Sequence, residues 1–434
     1  MYIKNGVRAR LLKSDKFKTN IIGVFFSTEL NKENVTKNAL IPAVLRRGTN
    51  KYPTMKNISI ELENLYGAKF DCGVSKKGEI QVLRFYGEAV NDKYLPNSDN
   101  NTVKLAEIIK DIIFNPVMKD NKFSDEYLAQ EKNKLKNLIE SRKNDKVQYA
   151  LERCYELMAG VEPYGLCEYG DVNEIDNISN EELVESYNHM LNDYCVDIMV
   201  AGNIDENEFN EIVKLFDFSE RNTETKVEIK DVEPSEVKNV TEEFEINQGK
   251  LSLAYRTNVK PNSKEYFDML VYNGILGSGV QSKLFQNVRE KNSLAYYAFS
   301  RLDKFKGIMG ISSGIEQENY QKALDTILEQ VEDMKKGNIT DYEYNTTVKT
   351  IENSLNSMKD EQLSLVDFYY GQELINSELS LEDVIENMKK VTVEDIVKVA
   401  EQVKLDTIYF MKGKWEYENN WKSNIKRKII YKNI

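Results

Sequence analysis

The stretch Ser179-Asn-Glu-Glu-Leu-Val-Glu-Ser-Tyr187, which runs on to Cys195-Val-Asp-Ile-Met-Val-Ala-Gly202, decides the fold because it contains one complete helix and strand unit. Ser179 followed three residues later by Glu182 is a capping box, a pattern that predicts the start of a helix. The apolar run that ends at Gly202 is typical of a buried strand. This part of the chain therefore predicts a capped helix followed by a core strand.

The same design occurs again near the C-terminus. Thr392 caps a second helix with Asp395 three residues later, and Asp406-Thr-Ile-Tyr-Phe-Met-Lys-Gly413 is again an apolar strand closed by glycine. The two caps lie 213 residues apart in a chain of 434 residues, which is close to half of its length. The repeat indicates two copies of one half. Chance similarity between two ordinary helix and strand units is the alternative explanation.

A second repeated pair lies elsewhere in the two halves and has the pattern of an antiparallel hairpin. One strand follows Tyr66, turns at Lys77-Gly78 and returns from Glu79, while its counterpart starts at Tyr296 and turns near Gly307. Glycine near both turns supports the hairpins. Apolar residues at three- and four-residue spacing predict helices before and after them. These helical stretches are Met55–Leu65 and Asp125–Ala159 in the first half, and Gln281–Lys291 and Tyr320–Met358 in the second.

Together these repeats predict an α+β fold of two homologous halves, each an antiparallel sheet with helices packed on one face. The first half is expected over residues 1–222 and the second over residues 243–434. Residues 223–242 between them are charged and contain proline, as expected of a linker. At about 150 residues per domain, a chain of this length fits two to three domains.

A single histidine, His189, is the most restrictive feature of the composition. No zinc site with two or three histidines can be completed within the chain, and a lone histidine on a helix is more often packed or solvated than catalytic.

The net charge of −12 makes the chain a poor candidate for binding nucleic acid. No stretch reaches the roughly 20 apolar residues of a membrane span.

The compartment is predicted from the N-terminus and the cysteines. The first residues lack the apolar core of a secretory signal, and no two cysteines form a Cys-x-x-Cys pair. Cys72, Cys154, Cys167 and Cys195 are therefore expected to be free thiols in a reducing cytoplasm. The last segment, Trp415–Ile434, is basic and contains an apolar stripe. Its composition favours a solvated tail over a membrane or RNA contact.

The most informative motif is Leu276-Gly-Ser-Gly-Val-Gln-Ser-Lys-Leu-Phe-Gln-Asn-Val-Arg-Glu-Lys-Asn-Ser-Leu-Ala-Tyr296. It combines a Gly-rich turn, Ser-x-Leu-Phe, Arg-Glu-Lys and Leu-Ala-Tyr. This combination closely resembles the second-half signature of the pitrilysin/insulinase-type metallopeptidases, especially the branch of the mitochondrial processing peptidases. Glu162–Gly170 and Met199–Gly202 resemble further landmarks of the family. The resemblance implies two halves that enclose a chamber.

Active members of this family carry an inverted zinc motif, His-x-x-Glu-His, on the first helix. Two histidines and a more distal glutamate bind zinc, and the glutamate of the motif is the general base. Arg47-Gly48-Thr49 resembles the family pattern that ends this helix. Counting back from it places Ala39 and Ala43 at the histidine positions and Pro42 at the glutamate position.

The residues at these positions cannot perform the zinc chemistry. Alanine has no lone pair for a metal, and proline has no carboxylate to accept a proton. The distal glutamate would fall near Leu138, and Glu140 lies two residues away, on a different side of a helix. We therefore expect no zinc site in this chain.

The second half keeps a different part of the family pattern, an arginine and a tyrosine seven residues apart that bind substrate near the scissile carbonyl. Arg289 and Tyr296 match both residue types and the spacing. A phenol can donate to a developing oxyanion, and a guanidinium can hold a carbonyl or carboxylate. Without the family match, a solvated helix-end arginine and a half-buried strand tyrosine are the ordinary interpretation. Tyr297 is an adjacent candidate on the opposite face of the strand.

One strand of the first half has two interpretations. Gly67–Ser75 takes the place where active relatives add the substrate as an extra strand. In a chain without zinc, a plain sheet edge is the favoured interpretation.

The resemblance implies the non-zinc subunit of a heterodimeric processing peptidase. Zinc is then expected in a homologous partner subunit, and a peptide substrate would contact Arg289 and Tyr296. The alternative is a catalytically inactive peptide-binding or scaffold protein of the same fold, with homodimers as one form. The weakest hypothesis is that the chain catalyses a reaction by itself. The sequence contains 71 acidic residues, and a catalytic pair of carboxylates cannot be identified among them before the fold is known.

Overall fold

The computed structural model describes residues 2–97, 100–221 and 224–414. The basic segment Trp415–Ile434, predicted to be a solvated tail, lies outside the described residues.

Eleven strands form two sheets within the described residues. They are β1 (Tyr2–Lys4), β2 (Val7–Lys13), β3 (Thr19–Glu29), β4 (Lys69–Lys77), β5 (Ile80–Val90), β6 (Cys195–Gly202), β7 (Lys238–Phe244), β8 (Gly249–Arg256), β9 (Ala295–Asp303), β10 (Ile308–Ile315) and β11 (Lys404–Gly413).

The described α-helices account for most of the remaining regular structure. They are α1 (Lys32–Leu45), α2 (Met55–Asn64), α3 (Asn101–Phe114), α4 (Asp125–Ser141), α5 (Lys146–Ala159), α6 (Asn180–Asp193), α7 (Glu206–Leu215), α8 (Glu265–Gly277), α9 (Tyr320–Lys335), α10 (Asp341–Met358), α11 (Gln362–Leu374), α12 (Leu381–Met388) and α13 (Val393–Gln402). A π-helix covers Phe285–Lys291.

The two sheets repeat one pairing scheme, which confirms that the chain contains two homologous halves. The first sheet has the order β1-β2-β6-β3-β5-β4, and the second has the order β7-β11-β8-β10-β9. In each, a strand from late in the half lies parallel to an early one: β6 beside β2, and β11 beside β7. The other pairs among the described strands are antiparallel. Both predicted hairpins are present, as β4–β5 and β9–β10.

Both predicted capping boxes are present. Ser179 accepts a hydrogen bond from the backbone N of Glu182 at 3.2 Å, and the Glu182 carboxylate accepts from the backbone N of Ser179 at 2.7 Å. Thr392 and Asp395 make the same two bonds, each at 3.2 Å. The helix starts were therefore readable from the sequence because each cap satisfies its own backbone donors locally.

The long helical stretches differ from the prediction in being interrupted. Asp125–Ala159 breaks before α5, where the side chain of Asp145 accepts from two backbone N–H groups of the new helix. Tyr320–Met358 breaks at Gly337, which has a φ of +71°, a conformation that glycine adopts without strain. The predicted helix over Gln281–Lys291 is of the π type over its last seven residues.

The chain forms two compact units, and each contains a helix from the other half of the sequence. The first unit comprises the described residues up to Arg142 together with Val161–Ile229 and Glu352–Ile385, so it includes α11. The second unit includes α5 and the second sheet. Residues 224–237 contain neither helix nor strand, and β7 begins inside the predicted linker. The boundaries at 222 and 243 stay a prediction.

In the first unit the sheet is buried on both faces. Leu83 and Phe85 of β5 point into the larger core, to which α1, α3 and α6 contribute. Phe25 and Val82 point the other way and pack against α11, where the ring of Tyr370 stacks on Phe25 with centroids 4.4 Å apart. A single helix therefore covers part of the face opposite the main helical layer.

The second unit has the same kind of covering helix. Helix α5 lies against β8, β10 and β11, while α8, α9 and α13 pack on one another. Gly310 of β10 lies directly under Tyr155 and Leu151 of α5, and a side chain at this position would overlap both. The glycine therefore permits the close approach of helix and strand.

Among the described residues, no helix combines the length and apolar character needed to cross a lipid bilayer.

Candidate functional site

Helix α1 forms despite a proline in its interior. The side chain of Asn31 caps it by accepting from the backbone N of Asn34 at 3.0 Å. Pro42 lies within the helix and is buried, and its carbonyl still accepts from the backbone N of Arg46 at 3.2 Å. The structure thus places the predicted zinc-motif positions on a regular helix, where Ala39 and Ala43 lie one turn apart on the same side.

The residues at this position do not fit a zinc ion. Ala39 and Ala43 offer methyl groups, and Pro42 offers no carboxylate. One thiol lies beside this position: Cys72 of β4 donates to the carbonyl oxygen of Pro42 at 3.2 Å. Burial raises the pKa of the Cys72 thiol to about 12, and zinc binds the thiolate rather than the thiol. The chemistry of this donor set therefore excludes the family's metal site here.

A buried ion pair joins the C-terminal end of α1 to α4. The Nε of Arg47 donates to Oε1 of Glu131 at 2.5 Å, and the Nζ of Lys134 donates to the same oxygen at 2.9 Å. The Glu131 side chain is only 6% exposed. Leu138 and Glu140, near the expected distal ligand, are both exposed to solvent. The buried carboxylate of Glu131 on α4 is thus paired with two cations, Arg47 and Lys134.

Sequence reasoning missed this pair, although a signal for Glu131 was present. Leu128, Glu131 and Leu135 recur at three- and four-residue spacing, so Glu131 lies on the buried face of α4. A charged residue on a buried helix face requires a partner. The pattern does not identify Arg47 as that partner, because the contact joins residues 84 positions apart.

No group of three or more histidine, cysteine, aspartate or glutamate side chains among the described residues is placed to hold a metal ion.

Arg289 lies in the π-helix Phe285–Lys291, a class of distortion that is frequent at functional sites. Its side chain is 40% exposed, with its guanidinium 4.6 Å from the ring centroid of Phe285 and its Nε 3.5 Å from a Glu290 carboxylate oxygen. A surface pair of this kind holds a side chain weakly. Arg289 is therefore available to a ligand.

Tyr296 follows on β9 and is 76% exposed. The backbone N of Leu294 donates to the carbonyl of Val288 at 3.0 Å and connects the end of the π-helix to the start of the strand. Because β9 is at the edge of its sheet, one side of the strand has no neighbouring strand in the described structure. Arg289 thus lies just before, and Tyr296 just after, the short segment that connects the π-helix to β9.

Tyr297 has a different environment from Tyr296. Its ring lies beside Gly314, packs on Phe299 with centroids 5.8 Å apart, and has the Lys250 ammonium 5.5 Å from its centroid. Burial raises the pKa of Tyr297 to about 12. The two tyrosines point to opposite faces as the strand alternation predicts, and Tyr297 has a packing role.

The strand predicted at Gly67–Ser75 is β4, which begins at Lys69 and is the last strand of the first sheet. It pairs with β5 on one side only, among the strands described. Its outer backbone groups form an edge that could accept an added strand.

Comparisons with known proteins bear on the family and the fold of the chain. Residues 177–351 match the family model described as peptidase M16 inactive domain. The chain is 36% identical to the probable inactive metalloprotease YmfF of Bacillus subtilis (strain 168), over 94% of this chain and 96% of that protein. It is 21% identical to the uncharacterized zinc protease YmxG of the same organism, over 92% of this chain and 94% of that protein.

The fold is also similar to a solved structure of a conserved protein from Enterococcus faecalis V583. The TM-score is 0.89 at 31% identity, over 96% of this chain and 99% of that chain. The family assignment rests on similarity that extends over nearly the whole length of this chain and of these relatives. The chain belongs to the M16, or pitrilysin/insulinase-type, metallopeptidase family, as a member that lacks the zinc motif.

Proposed function

We propose that this chain is the non-zinc subunit of a heterodimeric M16 processing peptidase, and that it supplies Arg289 and Tyr296 to the active site of a zinc-bearing homologous partner. One contrast supports this proposal. The positions assigned to the zinc motif carry Ala39, Pro42 and Ala43, whereas Arg289 and Tyr296, which match the family's substrate-binding pair in type and spacing, have side chains that are accessible to solvent.

The proposed roles follow from the chemistry of the two side chains. The Tyr296 hydroxyl would donate a hydrogen bond to the oxyanion that forms when water attacks the scissile carbonyl. The Arg289 guanidinium would hold a neighbouring carbonyl or carboxylate of the peptide through its planar fork. Zinc and the general base would both come from the partner, because Ala39, Pro42 and Ala43 provide neither metal ligands nor a carboxylate.

A second candidate function rests on the open edge of β4. A peptide could pair with this edge through backbone hydrogen bonds whether or not any bond is cleaved. The chain would then be a peptide-binding or scaffold protein of the M16 fold, with homodimers as one possible form. Four cysteines without Cys-x-x-Cys spacing fit a cytoplasmic location for either function.

The test is reconstitution with a zinc-bearing M16 relative from the same genome. An internally quenched peptide library would report hydrolysis by the mixture, with Arg289→Ala and Tyr296→Phe as the informative variants. Loss of one oxyanion donor costs about 100- to 1,000-fold in kcat, so Tyr296→Phe should fall in this range. Matched controls are Tyr342→Phe, an exposed tyrosine on α10, and Arg301→Met, an exposed arginine on β9.

The two candidate functions predict different outcomes. Full activity of both informative variants in an active mixture would refute the proposed roles of Arg289 and Tyr296. Tight binding of uncleaved peptide by the chain alone, with no gain of hydrolysis from any zinc-bearing relative, would favour the scaffold function.

A further inference from the structure

A cavity lies in the first unit on the face of the sheet that α11 partly covers. Its volume is about 370 Å³, which is within the range of small-ligand sites. The sheet contributes Phe25, Val82 and Arg84 to its walls, and Tyr370 of α11 forms part of the opposite side. None of the family's zinc or Arg/Tyr positions lines this cavity.

Arg84 is the unusual member of this lining. Its Nε is buried and has no hydrogen-bond partner among the described residues. Two acidic residues on the same strands or in the lining have cations closer to them: Asp71 lies 3.6 Å from Arg46 in a loose surface pair, and Asp367 lies 2.8 Å from Lys77. Arg84 itself makes no ion pair within the part of the chain that the structure describes, and a half-buried guanidinium of this kind favours an anionic ligand.

The structure leaves space directly beside this guanidinium. In the strand register Arg84 is opposite Gly73 of β4 on one side and Phe25 of β3 on the other. A Cβ atom at Gly73 would meet no heavy atom within 4 Å. Directly opposed residues of an antiparallel pair point to the same face of the sheet, so the open space at Gly73 adjoins the Arg84 side chain.

The other residues that line the cavity indicate the chemistry of the rest of the ligand. Phe25, Val82, Met358 and Leu363 present apolar surface on one part of the lining. Polar groups are also present: the paired charges of Lys77 and Asp367, the phenol of Tyr86, and the hydroxyls of Ser75 and Ser364. An anion attached to an apolar group matches this combination. The C-terminal residue of a peptide with an apolar side chain has this chemistry, since its α-carboxylate lies one bond from the carbon that bears the side chain.

We propose that this cavity binds the C-terminal residue of a peptide, with Arg84 paired to the α-carboxylate and the apolar side chain packed against the Phe25 and Leu363 side of the cavity. Arginine binds a carboxylate through two parallel hydrogen bonds. The site requires no partner subunit and is independent of the roles proposed for Arg289 and Tyr296.

The test uses the full chain and a fluorescein-labelled hexapeptide that ends in leucine, with fluorescence anisotropy as the readout. The free acid should bind at least about tenfold more tightly than the same peptide with a C-terminal amide, because a hydrogen bond to a charged group is lost. Arg84→Met should remove this preference, and Arg84→Lys should retain only part of it. Gly73→Val should weaken binding by filling the adjoining space.

Two controls keep the result interpretable. Arg301→Met removes an exposed arginine elsewhere and should leave binding unchanged. Thermal unfolding should show that Arg84→Met is at least as stable as the parent chain, because the guanidinium it removes makes no ion pair among the described residues.

The proposal is overturned if acid and amide peptides bind equally, if Arg84→Met binds like the parent chain, or if inorganic phosphate at the same concentration displaces the peptide fully. Equal binding of acid and amide would indicate pairing along the β4 edge, and displacement by phosphate would indicate a site for free anions.

Discussion

Single residues mark the proposed difference between this chain and the zinc-binding members of the M16 family. At Ala39, Pro42 and Ala43 the helix persists while the donor atoms are gone, so the scaffold does not depend on the metal. The assignment of these positions stays a prediction, which rests on counting back from Arg47-Gly48-Thr49 along one helix. The Arg47–Glu131 pair could not be predicted from the sequence, since it is made by packing between distant segments.

Cysteine reactivity tests the local chemistry at the degenerate site. Burial raises the pKa of Cys72 to about 12, so at pH 8 the thiolate fraction is on the order of 10⁻⁴. Alkylation of Cys72 by iodoacetamide in the folded chain should be roughly a thousandfold slower than in guanidinium chloride. It should accelerate as the pH rises towards 12. Peptide mass spectrometry over a time course measures this rate.

The unfolded chain serves as the control for this experiment, because all four cysteines should react there at similar rates. Labelling of Cys72 in the folded chain at the rate of a free thiol would show that the thiol is ionised and would reopen the question of metal binding.

At the scale of elements, the covering helices α5 and α11 share one anchoring device. The Nε of Arg8 donates to Asp197 at 2.6 Å, and its Nη1 donates to the carbonyl of Glu373 at the end of α11 at 3.1 Å. In the second unit, Arg256 donates to Asp406 at 3.1 Å and to the carbonyl of Met158 at the end of α5 at 3.2 Å. Each pair ties a sheet strand to a helix C-terminus, where cations are favoured.

The sequence predicts that these helices exist but does not predict which sheet they cover. Apolar spacing gives α5 a buried face, yet the same spacing would suit packing on either sheet. The choice is made by contacts such as that of Tyr155 with Gly310, between residues far apart in the chain. For the same reason, the sequence does not predict that each compact unit contains a helix from the other half of the chain.

Removing one anchor should destabilise the first unit strongly. Arg8→Met leaves Asp197, which is 1% exposed, as a buried charge without its partner. We expect a loss of about 3–5 kcal/mol in the free energy of unfolding, measured by urea titration with circular dichroism. Asp197→Leu combined with Arg8→Met should restore most of it, because the double variant buries no charge.

The surface pair Lys390 with Glu386 provides the matched comparison, since both side chains are more than half exposed. Lys390→Met should cost less than about 1 kcal/mol. Equal costs for Arg8→Met and Lys390→Met would contradict the anchoring role.

At the scale of the whole molecule, the two halves of the duplication carry different parts of the proposed site. Both sheets keep one pairing order, so the fold has been preserved in both halves. The metal donors are missing from the first half, and the proposed substrate-binding pair lies in the second. The missing zinc site follows from the sequence alone, because a chain with a single histidine cannot form a two-histidine site.

The most direct measurement is hydrolysis of a quenched peptide by the chain alone with added Zn²⁺, by the zinc-bearing relative alone, and by the equimolar mixture. We expect no hydrolysis by the chain alone, and activity in the mixture that exceeds that of the relative and is abolished by a chelator. Chelator-sensitive hydrolysis by the chain alone would contradict this expectation.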